Sequence, residues 1–238
     1  MLARLESAFA GQRQFLDDAG HELKTPLTVL RGHLELLDAG DPGDVEQTQA
    51  LLLDEVDRMS RLVGDLILLA KSDRPDFVAF ETCDLLALTE DVVAKAKGLG
   101  ERDWRVDAAA DTRVLGDTQR LTQALLQLAE NAAKHTSPGD TIAIGSSCTA
   151  EEVRLWVRDT GPGVAAADRE RIFDRFGRSD VPEGDEGFGL GLSIVAAIAE
   201  AHGGRVAVED RSPQSSPGAR FVITLPAQRP EETPWPAS

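Results

Sequence analysis

Two runs of residues with the same alternating spacing of four and three constrain this chain most. Leu16, Gly20, Leu23, Leu27, Leu30, Leu34 and Leu37 form the first; Val45, Gln49, Leu52, Val56, Met59, Val63, Leu66 and Ala70 form the second. A mean period of about 3.5 returns side chains to one side of an α-helix and makes the seam of a coiled coil. Between the runs, Ala39-Gly40-Asp41-Pro42-Gly43-Asp44 gathers residues that stop helices. So short a connection makes the two helices antiparallel neighbours. One hairpin buries little by itself. The seams therefore imply a two-fold homodimer in which two hairpins form a four-helix bundle. The alternative is a hairpin that packs on the rest of its own chain.

Ser72-Asp73-Arg74-Pro75-Asp76 ends the second helix and reads as a linker. Beyond it the pattern becomes mixed α/β. Strands are expected over 80–84, 104–108, 113–115, 141–146, 153–158, 205–208 and 219–225, and helices over 85–97, 119–135 and 192–202. The division that follows is 1–73 for the hairpin domain, 74–79 for the linker, 80–226 for the α/β domain, and 227–238 for a disordered, proline-bearing tail. The fold class is α+β.

The chain of 238 residues carries a formal net charge of −16. That balance argues against general nucleic-acid or anionic-membrane binding, where a basic face is expected. Cys83 and Cys148 lie far apart, and neither belongs to a CxxC pair. They read as reduced thiols rather than a disulfide or a metal site. No apolar run approaches the ~18 residues that a membrane span needs. The chain starts abruptly inside a helical pattern, so a membrane sensor region upstream in the parent protein is compatible with it, and this region is expected to be cytoplasmic.

The first helix contains His21-Glu22-Leu23-Lys24-Thr25-Pro26-Leu27. With Leu23 at a d position and Gly20 and Leu27 at a positions, His21 falls at b, on the outer face. Thr25 lies one turn later on that side. An exposed imidazole beside a carboxylate has the makings of a nucleophile, with Glu22 able to accept the other ring proton. Pro26 lacks an amide hydrogen and crowds the carbonyl of Glu22, at a cost of about 3 kcal/mol in mid-helix. A local bend near the histidine would give that cost a purpose. Taken alone, a solvent-facing histidine with no task remains the simpler reading.

Four further pieces follow in order. Leu128-Ala129-Glu130-Asn131-Ala132-Ala133-Lys134-His135 closes a helix. Asn131 offers an amide oxygen to Mg²⁺, and Lys134 lies one turn from it, able to meet a phosphate. Asp159-Thr160-Gly161-Pro162-Gly163 follows a strand: a carboxylate at a strand end can accept from an adenine amino group, and glycines admit the base closely. Ile172-Phe173-Asp174-Arg175-Phe176-Gly177-Arg178 offers aromatics to anchor a cover and arginines for phosphates. Gly187-Phe188-Gly189-Leu190-Gly191-Leu192 opens a helix whose N-terminal amides suit an anion. Residues 179–186, polar and acidic, read as a mobile lid between the last two pieces. Each piece alone is also explained by a helix surface, a tight turn, a short amphipathic helix or a solvated loop.

Together these pieces resemble the sensor histidine kinases of two-component systems. Residues 21–27 look like the H box, 127–135 the N box, 159–163 the G1 box, 172–178 the F box and 187–192 the G2 box. The resemblance implies a dimerisation and phosphotransfer domain followed by an ATP-binding α/β sandwich of the Bergerat type. It implies ATP-dependent phosphorylation of His21 with Glu22 as its acid/base helper, then transfer to an aspartate of a response regulator. Thr25 is implied in positioning water for dephosphorylation of that regulator. Around ATP and Mg²⁺ it implies Asn131 and Gln127 on the metal, and Asp159 on adenine. It places Lys134, His135 and Arg178 near ribose and phosphates. Gly161, Gly163, Ile172, Arg175, Gly187, Gly189, Leu190, Gly191 and Leu192 complete the implied pocket. Three positions depart from the family pattern: Gln127 replaces a usual asparagine, Gly177 an aromatic, and Phe188 a small hydroxyl residue.

Two other readings share part of the pattern. ATP-hydrolysing machines of the gyrase type place a glutamate one turn before the asparagine, where Gln127 stands here, and lack the H-box hairpin. A degenerate kinase acting as a dimeric scaffold would lack an essential group, and none is missing. In the favoured reading Mg²⁺, Lys134 and Arg178 neutralise the triphosphate, and the ATP domain swings to His21 about a hinge near Arg74-Pro75.

Overall fold

A computed structural model describes residues 2–176, 188–209 and 218–228. Arg178, Gly187, the lid expected at 179–186 and residues 229–238 of the expected tail lie outside the described residues. The chain divides into two compact units, Met1–Ala70 and Lys71–Ser238.

The first unit holds α1, Leu2–Leu36, and α2, Pro42–Lys71. Their connection is shorter than the run of helix stoppers suggests, because some of those residues begin α2. Pro42 takes the first helical position, where its missing amide hydrogen costs nothing. Asp41 caps the helix: its carboxylate accepts from Gly43 N at 2.9 Å and its carbonyl from Val45 N at 3.1 Å. Asp44 reaches back to accept from Asp38 N at 2.7 Å. In the single chain the two seams are half-covered. Leu23, Leu30, Leu52, Met59 and Leu66 are half-buried. Leu27 and Leu34 remain 54% and 56% exposed, and Val56 and Val63 are exposed as well.

The second unit is a sandwich of helices on a sheet. A five-stranded sheet has the order β2 (Asp103–Ala108), β4 (Thr141–Cys148), β5 (Glu152–Asp159), β7 (Arg220–Pro226), β6 (Arg205–Glu209). The β2–β4 pair is parallel and the others antiparallel. A small antiparallel ribbon pairs β1 (Glu81–Asp84) with β3 (Arg113–Gly116). Three helices pack on the large sheet: α3 (Leu85–Ala96), α4 (Thr118–Lys134) and α5 (Gly191–Ala201). The alternation of strand residues supplies the core, with Ile142, Ile144, Val153, Leu155, Val157, Phe221 and Ile223 all buried. Leu121, Leu125, Leu128 and Ala132 of α4 meet it from the helix layer, also buried.

The opposite sheet face is closed by one aromatic residue. The indole of Trp156 lies over Gly145, where a Cβ would sit 2.4 Å from the ring, and the Arg220 guanidinium stacks 4.4 Å from its centroid. Its Nε1 donates to Asp107 at 3.0 Å. Only glycine at position 145 lets the ring lie flat on the sheet.

The chain after α2 is fastened to the start of α4. Phe77 is buried beneath Arg120, whose guanidinium carbon lies 4.6 Å from the ring centroid and whose Nε donates to Phe77 O at 3.3 Å. Asp117, the N-cap of α4, accepts from Arg120 N and, through its other oxygen, from Ala79 N, each at 3.0 Å. His202 at the end of α5 holds this turn: its Nε2 accepts from Asp117 N at 3.0 Å, and its Nδ1 lies 2.7 Å from Ile198 O. With Nδ1 donating and Nε2 accepting, the ring must be neutral. Burial lowers its pKa from the usual 6.5. Above that value folded and unfolded chains are both neutral. As pH falls below it, the unfolded chain takes up a proton that the folded chain refuses, so stability declines. Urea midpoints of the wild-type protein and His202→Gln, measured from about pH 8 down to about pH 5, should therefore converge as pH falls. A difference that stays constant would contradict the neutral staple.

Candidate phosphoacceptor and nucleotide sites

In the first unit, α1 continues through Pro26, which is buried, while His21 and Thr25 are exposed and Glu22 is half-buried. The outward position expected for His21 is the one it occupies. Pro26 has no amide hydrogen to donate to the helix. The next turn is held by Thr28 Oγ1, which donates to Lys24 O at 2.9 Å. An imidazole on the open side of a helix, with a carboxylate beside it in sequence, can reach a large phosphorylated substrate.

In the second unit the candidate residues gather where α4 ends, β5 ends and α5 begins. Gln127, Asn131 and Lys134 are spaced by four and three and so share one face of α4. The first two are half-buried; Lys134 and His135 are exposed. Asp159, at the last position of β5, is 3% exposed. Its Oδ1 accepts from Gly161 N at 2.8 Å and from Ala219 N at 3.2 Å, which fixes the plane of the carboxylate. Sheet pairing extends to Asp159 itself, whose N donates to Ala219 O at 3.0 Å.

The glycines of these motifs are close approaches. A Cβ on Gly161 would lie 2.5 Å from His135 O, so the turn after β5 is pressed onto the end of α4. A Cβ on Gly191 would lie 2.6 Å from Gln127 Oε1, so the start of α5 is pressed onto the middle of α4. Gly163 and Gly189 both adopt positive φ, at 81° and 69°. Leu190 is buried and Leu192 half-buried, anchoring the loop that leads into α5.

The three helices of this unit differ at their N-termini. Asp84 caps α3 through Ala87 N and Asp117 caps α4 through Arg120 N. Leu190, at the N-cap of α5, makes no side-chain capping bond. Among the described residues, α5 thus lacks the aspartate cap of the other two helices, and a helix N-terminus of this kind suits an anion. Ile172 is buried in a short 3-10 turn, Arg171–Phe173, and Phe173 meets Phe221 edge-on at 6.3 Å. Arg175 is exposed, and Phe176 sits at φ 58°, a conformation costly for a bulky side chain.

Among the described residues, no group of three or more His, Cys, Asp or Glu is arranged to hold a metal ion. Asn131 and Gln127 offer amide oxygens from one face of α4. That suits Mg²⁺, which takes one or two protein ligands and completes its shell with water and substrate phosphates. Sequence reasoning missed Ala219, whose backbone bonds to Asp159 arise from the non-local pairing of β5 with β7 and leave no motif. It also missed Thr160, whose hydroxyl accepts from Thr141 N at 3.1 Å and ties this turn to the start of β4.

Residues 11–75 match the family model of the His Kinase A (phospho-acceptor) domain, and residues 116–229 match the histidine kinase-, DNA gyrase B- and HSP90-like ATPase model. The chain is 38% identical over 221 residues to the probable sensor histidine kinase TcrY of Mycobacterium tuberculosis, covering 90% of this chain and 46% of that protein. It is 35% identical to the signal transduction histidine-protein kinase/phosphatase MprB of Mycobacterium sp. strain KMS, over 96% of this chain and 46% of that one. It thus spans about half the length of these curated relatives. The structure of ShkA in complex with AMPPNP is similar at a TM-score of 0.61 and 29% identity, covering 92% of this chain and 46% of that one.

A methyl group on Gly161 should push the turn after β5 away from α4. The variant Gly161→Ala is expected to keep its circular dichroism spectrum but lose at least about tenfold in affinity for magnesium nucleotide by calorimetry, since small errors of position act steeply.

Proposed function

This chain belongs to the sensor histidine kinases of two-component systems, and we propose that it binds ATP in its second unit, phosphorylates its own His21 and passes the phosphoryl group to an aspartate of a response regulator. The observation that carries the reading is the joint presence of an exposed His21 on α1 and a buried Asp159 at the head of a glycine-lined turn. One is a phosphoacceptor and the other an adenine site, and neither is useful without its counterpart.

In this reading Asp159 accepts from the adenine amino group, and Gly161 and Gly163 let the base approach the backbone. The uncapped amides of α5, with Lys134, His135, Arg175 and Arg178, receive ribose and phosphates. Asn131 and Gln127 would hold Mg²⁺, which supplies charge neutralisation to the phosphates when bound. A ring nitrogen of His21 attacks the γ-phosphorus; the N–P bond forms as the bond to the β-phosphate oxygen breaks, and ADP leaves. Glu22 accepts the proton from the other ring nitrogen. The rest of catalysis is alignment, since phosphoryl transfer asks little covalent chemistry of the protein. The segment before Phe77 is the proposed hinge, because from Phe77 onward the chain is fastened to α4.

The bare rows of the two seams support a homodimer, in which Leu27, Leu34, Val56 and Val63 would lose their exposure to a second copy. Phosphatase action toward the regulator, with Thr25 positioning water, is supported by the exposure of Thr25 one turn from His21 and by the kinase/phosphatase relative. No helix among the described residues is long and apolar enough to cross a membrane. We place this region in the cytoplasm, with any membrane anchor in a sensor part of the longer protein.

Replacing His21 by Gln should abolish labelling by ATP carrying ³²P at the γ position while leaving nucleotide affinity unchanged. The label on the wild-type protein should be stable to base, lost in acid, and chased onto a receiver domain. Labelled His21→Gln protein would end the assignment.

A further inference from the structure

The end of α4 is closed by a residue that belongs to no nucleotide motif. Arg102, half-buried just before β2, places its guanidinium across the last turn of that helix. Its Nη2 donates to Ala133 O at 2.9 Å and to Thr136 O at 2.7 Å, and its Nε donates to Thr136 Oγ1 at 3.0 Å. Thr136 Oγ1 in turn donates to Ala132 O at 2.8 Å, and His135 N to Asn131 O at 3.3 Å. The final carbonyls of a helix have no intrahelical donors and must find partners elsewhere. Here one arginine and one threonine supply them, and the cation also meets the negative end of the helix dipole.

This closure bears directly on the candidate pocket. Ala132 and Ala133 lie between Asn131 and Lys134. His135 O is the atom against which Gly161 is packed, and Thr136 Cγ2 is 3.3 Å from the position of a Gly161 Cβ. The segment that carries Arg102 into β2 is fixed to the same region: Gly139 N donates to Glu101 O at 3.2 Å and Asp103 N to Asp140 O at 2.8 Å. Asp140 then accepts from Ser137 N at 2.8 Å and from Thr160 Oγ1 at 3.4 Å, and Thr160 adjoins Asp159. A continuous set of hydrogen bonds thus runs from Arg102 through the turn after α4 to the turn after β5.

We propose that Arg102 is a positioning residue for nucleotide binding: by closing the C-terminus of α4 it sets Asn131, Lys134 and the Gly161 turn in register with one another. It touches no nucleotide itself. The inference rests on the ATP-binding reading above and adds to it a residue that no motif contains. A guanidinium is needed because a single ammonium cannot reach three acceptors in a plane.

The test compares wild-type protein with Arg102→Ala, Arg102→Lys, Thr136→Val and the Ala/Val double variant. Dissociation constants for a non-hydrolysable magnesium nucleotide would be set beside the rate of His21 labelling at saturating ATP. Arg102→Ala should weaken binding about tenfold, as loss of charge-assisted bonds to a positioning turn would. The labelling rate at saturation should stay within about twofold, because a nucleotide once bound completes the turn. Arg102→Lys should fall between, and the double variant should be no weaker than Arg102→Ala by more than a small factor, as expected for partners in one network. A merely structural role would lower the folded fraction, and so the saturated rate, at unchanged affinity. That result, or affinities within about twofold of wild type in both Arg102 variants, overturns the proposal. Should Arg102→Ala fail to fold, Arg102→Lys and Thr136→Val decide by the same criteria. Wild-type protein that binds no magnesium nucleotide would instead overturn the functional reading.

Discussion

The candidate nucleotide site of this molecule depends on how one helix ends. The carbonyl of His135 sits where any side chain at Gly161 would have to go. That single approach joins the last turn of α4 to the turn after β5. Through it the helix that carries Asn131 and the strand end that carries Asp159 are brought together. Protein interiors transmit such displacements because they are close-packed. The closure of the end of α4 therefore bears on the position of the Gly161 turn.

A second constraint acts at the other end of α4. Asp117 caps it, Arg120 and Asp117 hold the incoming chain at Phe77 and Ala79, and neutral His202 holds Asp117. Both ends of one helix are thus tied to elements that have separate tasks: the N-terminus to the segment leading from the hairpin, the C-terminus to the candidate nucleotide turn. The hairpin is organised differently. Its half-covered seams leave Leu27 and Leu34 mostly exposed, which is the feature that supports the proposed homodimer.

Much of this was legible in the sequence. The 3.5-residue spacing located both long helices, and the alternation of residues 141–146 and 153–158 located the central strands, because these patterns follow from burial. The glycines at 161 and 163 were read as admitting a base and those at 187–191 as presenting amides to an anion; their packing within the protein, Gly161 on His135 O and Gly191 on Gln127, was not legible. Those neighbours are set by packing between elements distant in sequence. For the same reason Ala219, Arg102 and His202 escaped notice. Each acts through backbone atoms or through a partner dozens of residues away, and neither leaves a local pattern. The connection at 37–41 was read too long, since Pro42 and Gly43 stop helices in general but start this one beneath Asp41.

The acidic balance of the chain also finds its place. A protein with a net charge of −16 has few cations to spend on a triphosphate. Several arginines are already engaged within the second unit: Arg102 at the end of α4, Arg120 on Phe77, Arg158 on Asp107 and Arg220 over Trp156. An anion site under that constraint is better built from dipoles than from charges. Among the described residues, the start of α5 has this character: its N-cap, Leu190, makes no side-chain bond, where α3 and α4 carry an aspartate cap. Backbone amides keep their orientation without a flexible side chain to order. In the proposed reading, a local and oriented positive end is what lets a chain of this net charge receive a nucleotide.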